Sequence, residues 1–313
     1  MQTYIDIISY LRRKEIIPIL RIQTTVLKEI QNFMISKGFI ELMPVITSKM
    51  TDPLAPDPAS TIKKFPVIVY NGQKLVLTQS MILHKQISLI SGLDKIFIMS
   101  PNIRLEDAKN RFTGRHLFEF TQMDFEIAYA NMNQVMSLVE DLLIHVFRRV
   151  LNLHKEELNL FGRELKIPSK PFKRYTSHEM IEEFGDRWEM LASQTFKEPF
   201  WVTCHKREFY DREDPNKPGH YRNYDLIYPE GFGEALSGGE REWEYEIIYK
   251  KMIEGGIDPS RFEEYLLLAK KGLLKPSAGA GLGVERFIRY ITGVKHIGDI
   301  QLFRRVPGEK IIF

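Results

Sequence analysis

Residues 103–126 run Ile-Arg-Leu-Glu-Asp-Ala-Lys-Asn-Arg-Phe-Thr-Gly-Arg-His-Leu-Phe-Glu-Phe-Thr-Gln-Met-Asp-Phe-Glu, and their pattern decides how the chain is built. Segments 96–99 and 103–105 read as strand, the polar stretch 107–114 as a loop, and 117–129 alternates as a long second strand. On that second strand Phe120, Gln122, Asp124 and Glu126 fall on one face. Polar side chains at alternate positions in an otherwise apolar stretch mark a sheet surface that lines a site, not one sealed in a core. Arg104 and Glu106 share a face of the first strand, and Arg115 and His116 follow the loop. Arginine suits a phosphate that gains charge, a carboxylate can accept the amino group of a base, and a phenyl ring such as that of Phe120 can stack on the base.

Upstream of this stretch, Ile19, Ile22, Val26, Ile30, Phe33 and Met34 keep helical spacing over 19–37, and Gly38 stands where a left-handed stop belongs. Residues 39–43 read as a short strand. Pro53, Pro56, Pro58 and Pro66 exclude regular structure over 47–66. Asn71-Gly72 predicts a hairpin joining 67–70 to 74–78, with a helix starting near Ser80. Further helices are expected over 131–152, 176–184, 240–254 and 260–271, and a last one after the glycines at 279–283. Strands without regular intervening helices predict an α+β domain, a mainly antiparallel sheet flanked by helices.

Composition narrows the class without naming it. The chain has 313 residues, 43% of them hydrophobic, enough for a sizeable core. Its 44 basic and 41 acidic side chains are interspersed, and a formal charge of +3 is a weak signal for nucleic acid. A single cysteine, Cys204, excludes a disulfide framework and a cysteine-rich zinc site and fits a reducing, cytoplasmic setting. No leader pattern and no membrane-spanning apolar run stand in the sequence.

Glycines at 279, 281 and 283 strip one strand face so that a nucleotide can approach the backbone, and Arg286 with the following helix N-terminus can hold a terminal phosphate. A dinucleotide fingerprint is the rival reading. Val284 stands where its third glycine belongs, and too little chain follows to complete two βαβ units.

Ile103-Arg-Leu-Glu106, Arg115-His-Leu117 and Glu119-Phe-Thr-Gln122 with Asp124 together resemble motif 2 of the class II aminoacyl-tRNA synthetases, in the aspartyl and asparaginyl branch. Gly279-Ala-Gly-Leu-Gly-Val-Glu-Arg286 resembles motif 3, and the 19–37 helix with Gly38-Phe-Ile-Glu-Leu-Met-Pro44 resembles motif 1. The resemblance covers about residues 19–308, leaving 1–18 as an N-terminal extension and 19–313 as the catalytic domain. It implies the class II catalytic fold, ATP with Mg2+, and a homodimer formed through motif 1. It also implies Arg104 and Arg286 as the catalytic arginines, with ATP held by these two and by Glu106, His116, Phe120, Glu234 and Gly283.

Ser80-Met-Ile-Leu-His-Lys-Gln86 is similar to the segment in which aspartyl enzymes carry a lysine for the substrate carboxylate, here Lys85, although Ile82 replaces a glutamine of that pattern. Glu234-Ala-Leu-Ser-Gly-Gly-Glu-Arg241 resembles the family's Glu-x-x-Ser/Gly-Gly-x-x-Arg. Glu234, Ser237 and Asp225 are then the expected oxygen ligands of magnesium, and Arg241 is a planar fork for a carboxylate. The expected aspartate contacts are Ser80, Lys85, Gln122, Asp124 and Arg241, with Asp52 or Asp57 meeting the ammonium group. The approach at 224–234 looks more asparaginyl than aspartyl. His205 and His220 fall in lid segments, and their spacing carries no metal signature.

Only 18 residues precede motif 1, too few for the anticodon-reading OB domain of these synthetases, so tRNA binding is not expected. The resemblance narrows to the archaeal asparagine-synthetase-related group. That implies asparagine formation from aspartate, ATP and ammonia through a β-aspartyl adenylate, releasing AMP and pyrophosphate. Aspartate would then lie reversed, its α-carboxylate on Lys85 and Arg241. The alternatives are a truncated aminoacyl transferase and a non-catalytic amino-acid-sensing paralogue.

Overall fold

The computed structural model describes residues 6–54 and 65–311. Asp57 therefore lies outside the described residues. A short helix α1 (Ile7–Leu11) leads into α2 (Ile16–Ser36), which starts three residues before the periodicity suggests. Pro18 sits in its first turn, where no backbone donor is needed. Gly38 follows with φ +81°, and the chain enters β1 (Ile40–Glu41) and β2 (Thr47–Ser48). The hairpin of β3 (Val67–Tyr70) and β4 (Gln73–Leu77) turns through Asn71 and Gly72, both with positive φ, as that dipeptide requires.

Helix α3 (Ile82–Ser88) precedes β5 (Lys95–Ile103), a single nine-residue strand where two short ones were expected. Pro101 is tolerated inside it because β1 pairs only with Ile96 and Phe97, which leaves that edge of β5 open farther along. Arg104 and Glu106 consequently lie just past the strand end, and a 3₁₀ helix, Ala108–Thr113, occupies the expected loop. Strand β6 (Glu119–Ala128) then pairs with β5 along its whole length.

Asn131 and Gln134 form a reciprocal capping box at the head of α4 (Met132–Leu153), which is followed by α5 (Lys155–Leu160). Next come β7 (Lys173–Thr176), α6 (Ser177–Phe184), α7 (Trp188–Thr195) and β8 (Phe200–Thr203). Strands β9 (Asn223–Tyr228) and β10 (Gly233–Glu240) follow. Because β10 extends through Glu240, helix α8 (Tyr245–Glu254) starts later than the expected 240. Helix α9 (Glu263–Lys270), β11 (Ser277–Gly283) and α10 (Val284–Thr292) follow, and after them a 3₁₀ helix, Ile297–Ile300.

Eight strands form one sheet in the order β1-β5-β6-β11-β10-β9-β8-β7, antiparallel except for the β1–β5 and β7–β8 pairs. This is the expected α+β arrangement. Side chains alternate across a strand, so β6 presents Met123 and Phe125 to one face and Gln122, Asp124 and Glu126 to the other. The apolar face packs against α2, α4 and α10, through Ile22, Val26, Ile30, Val139, Leu143, Phe147 and Phe287 among others, all fully buried. The polar face lies beneath α3 and beneath the second apolar cluster, formed by Leu83, Phe209, Tyr210, Ile248, Phe262 and Tyr265. Among the described residues no helix is long and apolar enough to cross a membrane.

Candidate active site

The central strands set a row of glycines against two acids and an amide. In the β6–β11 pairing Gly279 faces Glu126, Gly281 faces Asp124 and Gly283 faces Gln122. A Cβ at Gly279 would stand 2.1 Å from the Phe125 carbonyl oxygen and 2.2 Å from Glu126 Oε2. At Gly281 it would stand 2.9 Å from Asp124 Oδ1. The absent side chains at 279 and 281 therefore make room first for the protein's own carboxylates. Gly283 is different: the nearest atoms to a Cβ there belong to Arg286, at 3.5 Å.

Two clefts open on this face. One, of roughly 480 Å³, is lined by Arg104, Glu106, Arg115, His116, Phe120, Gly283, Glu285 and Arg286. The Arg104 guanidinium lies 5.0 Å from the Phe120 ring centroid and donates to the Gln79 carbonyl at 3.0 Å. Glu106 accepts from Asn110 Nδ2 at 2.8 Å. Burial, then the Arg286 and Arg115 charges, hold the His116 imidazole down to about 3, so the ring is neutral near pH 7. The Thr121 amide projects past the end of β11 and is taken by both Glu285 oxygens at 3.0 Å. Burial pushes Glu285 up to about 7 despite those bonds.

The second cleft, of roughly 690 Å³, is lined by Asp52, Ser80, Lys85, Asp124, Ser237 and Arg241, and also by Arg207, Glu208, Tyr210 and Asp211. Arg104, Gln122, Glu234 and Gly281 line both clefts and form the passage between them. At this passage Arg286 Nη1 lies 3.2 Å from Glu234 Oε1 and donates to the Glu234 carbonyl at 3.1 Å. Burial would raise the Glu234 carboxyl, but Arg286, Arg115 and Arg207 outweigh it and hold the group at about 2.

The cations of the second cleft are already engaged. Lys85 Nζ donates to Asp124 Oδ1 and to the Ala280 carbonyl, both at 2.9 Å, and Glu126 Oε2 stands 3.9 Å away. Arg241 forks onto Glu126 at 3.1 and 3.3 Å and donates to the Gly279 carbonyl at 2.9 Å. Gln122 accepts from Asn102 Nδ2 at 3.1 Å, and Ser80 Oγ accepts from the Ile82 amide at 3.3 Å. Asp52 is buried, accepts from the Tyr210 hydroxyl at 2.8 Å, and is shifted upward by desolvation.

Of the three expected magnesium ligands, Glu234 and Ser237 line the second cleft. The carboxylate of Asp225, opposite Ser237 across β9 and β10, is taken by Arg207 at 3.0 and 3.1 Å, with His205 at 3.3 Å. Sequence reasoning missed Arg207, Tyr210 and Asp211, which stand on an irregular segment with no periodicity or motif to flag them. An isolated bridge, Asp211 with Arg241, and side-chain bonds such as Asn223 Nδ2 to Asp211 at 2.7 Å bring that segment to the site.

An antiparallel sheet whose polar face carries an arginine-flanked cleft running into a charged one is the catalytic architecture of class II aminoacyl-tRNA synthetases. A family model for the class II tRNA synthetases (D, K and N) matches residues 3–307, and the chain belongs to that family. It is 32% identical to an asparagine–tRNA ligase of Pyrococcus abyssi, over 96% of this chain and 70% of that protein. It is 33% identical to an aspartate–tRNA(Asp/Asn) ligase of Methanopyrus kandleri, over 94% and 69%. Among solved structures, Pyrococcus horikoshii asparaginyl-tRNA synthetase complexed with asparaginyl-adenylate superposes with a TM-score of 0.84 at 28% identity, covering 96% of this chain and 71% of that one.

Proposed function

We propose that this chain activates aspartate with ATP, joining an aspartyl carboxylate to the α-phosphate and releasing pyrophosphate. The observation that carries the reading is the passage lined by Arg104 and Glu234, with Arg286 paired to Glu234, between the cleft that holds Phe120 and the charged one. Adenine would stack on Phe120 and meet Glu106 and the neutral His116. Arg104 would neutralise the α-phosphate as charge builds there, and Arg286 the γ-phosphate; charge stabilisation of this kind supplies most of the acceleration in such reactions. Glu234, ionised at any working pH, and the Ser237 hydroxyl are hard oxygen donors that suit the magnesium ion arriving with ATP. Asp225 is held by Arg207 and could contribute only after exchanging that partner.

Aspartate is favoured over asparagine because Lys85 and Arg241 close the second cleft. A substrate carboxylate there would draw hydrogen bonds from Lys85 and Arg241 in competition with Asp124 and Glu126, which already hold them. Asp52, with Tyr210 and Asp211, is the candidate partner for the ammonium group.

The relatives are tRNA ligases, which favours RNA over ammonia as the acyl acceptor. Ammonia remains the second reading, giving asparagine from a β-aspartyl adenylate with aspartate reversed in the cleft. One experiment separates them: purified protein with magnesium-ATP, aspartate or asparagine, and either ammonium chloride or total tRNA. Labelled aspartate recovered in acid-precipitable RNA supports the ligase reading, while free asparagine with AMP in the absence of RNA supports the ammonia reading. Pyrophosphate exchange driven by asparagine and not by aspartate would refute the substrate assignment.

A further inference from the structure

Away from both clefts, three side chains from three separate segments converge. His178 stands in the first turn of α6, Cys204 directly follows β8, and His220 lies in the loop before β9. Cys204 Sγ is 3.5 Å from His178 Nε2 and 3.2 Å from His220 Nδ1, and all three candidate donor atoms lie within 4.8 Å of one another. A zinc ion bound tetrahedrally at ~2.3 Å to sulfur and ~2.05 Å to nitrogen sets its sulfur and nitrogen ligands about 3.5 Å apart. The observed spacings match that edge with little adjustment.

The backbone is built around this meeting point. Cys204 adopts φ +71°, a left-handed conformation unusual for cysteine, and is 5% exposed. Its carbonyl accepts from Ser177 Oγ at 2.6 Å, the residue beside His178. His220 is fixed by its own backbone, whose carbonyl accepts from the Asp214 amide at 2.7 Å. His178 is exposed, which provides an entry path from solvent.

We propose that His178, Cys204 and His220 form a zinc site. One thiolate and two imidazoles suit a borderline-soft divalent ion, and the three protein ligands leave a fourth position for water. The site ties α6 and the end of β8 to the far end of the 205–222 segment, whose near end carries Arg207, Glu208, Tyr210 and Asp211 into the second cleft. The spacing along the chain, 26 and 16 residues, hides the cluster from any local motif.

The test uses the full chain without a histidine tag, equilibrated with zinc, freed of unbound ion and analysed for metal. Wild type is expected to retain about one zinc per chain, with affinity reduced roughly tenfold or more in Cys204→Ser and in His220→Ala. Cobalt substitution is expected to give a thiolate-to-metal charge-transfer band that Cys204→Ser abolishes. Should Cys204→Ser fail to fold, the exposed His178→Ala provides the same comparison. Wild-type protein that retains no zinc, or variants that retain it with unchanged affinity, would overturn the assignment.

Discussion

Lys85 enters the core only because Asp124 and the Ala280 carbonyl are there to meet it: its side chain is 2% exposed, and its ammonium group is bonded to both. Among the described residues Asp124 Oδ2 has no hydrogen-bond partner, so the pair already carries one unsatisfied oxygen. Removing one member of a buried pair costs about 3–5 kcal/mol, because the other charge stays buried alone. Lys85→Met is therefore expected to lower unfolding free energy by about that much in denaturant titrations, and adding Asp124→Asn to recover most of it. Neither variant should regain aspartate-dependent exchange. Full activity in the repaired double variant would remove Lys85 from the substrate site. Glu285 makes a separate prediction. Its folded value of about 7 lies above its ordinary 4.5, so the fold favours the protonated acid. Its contribution is complete below the unfolded value and is lost as pH rises through 7. Glu285→Gln should flatten the decline of melting temperature between pH 5 and pH 8, and an unchanged slope would show that burial does not govern this group.

At the scale of elements, the glycines of β11 divide by what stands opposite them. Gly279→Ala would drive a methyl into the Phe125 carbonyl, a backbone atom that cannot move aside, and is expected to cost about 3 kcal/mol or to prevent folding. Gly283→Ala meets nothing closer than 3.5 Å and has φ −69°, so its melting curve should be close to wild type. Because Gly283 lines the first cleft, the same change should raise the Michaelis constant for ATP. Equal loss of stability in both variants would contradict this division. The contrast also explains what was legible beforehand. The alternation at 120, 122, 124 and 126 and the glycines at 279, 281 and 283 are local, period-two signals, and both strands were readable from them. The glycine spacing could not say that carboxylates already fill the stripped face, since that depends on the pairing of β6 with β11. Strands β9 and β10 escaped notice because Tyr224–Tyr228 is buried on both faces and β10 is rich in glycine, so neither alternates. The Cys204 cluster was hidden for a related reason: separations of 26 and 16 residues conceal what the fold brings together.

At the scale of the whole molecule, the sheet ends on one side in β1, a two-residue strand whose surroundings stay apolar and uncovered. Met43 is 87% exposed, Ile40 50% and Ile46 48%, and Ile35 at the end of α2 lies 56% open. Scattered exposed apolar residues are ordinary, but five within a dozen positions, Val45 being the fifth, form a surface beside a sheet edge that water solvates poorly and another chain can cover. Ile35, Ile40 and Met43 fall in the segment whose resemblance to motif 1 implies a homodimer, Ile46 lies two residues past it, and a symmetric pair would present the same patch from both partners. Sedimentation velocity at micromolar concentration is expected to give the dimer mass for wild type. Met43→Asp with Ile46→Asp would bury charge at the centre of that contact and should give the monomer mass with an unchanged circular dichroism spectrum. A wild type that sediments as a monomer, or a double variant that stays dimeric, would mean that this edge is not the interface.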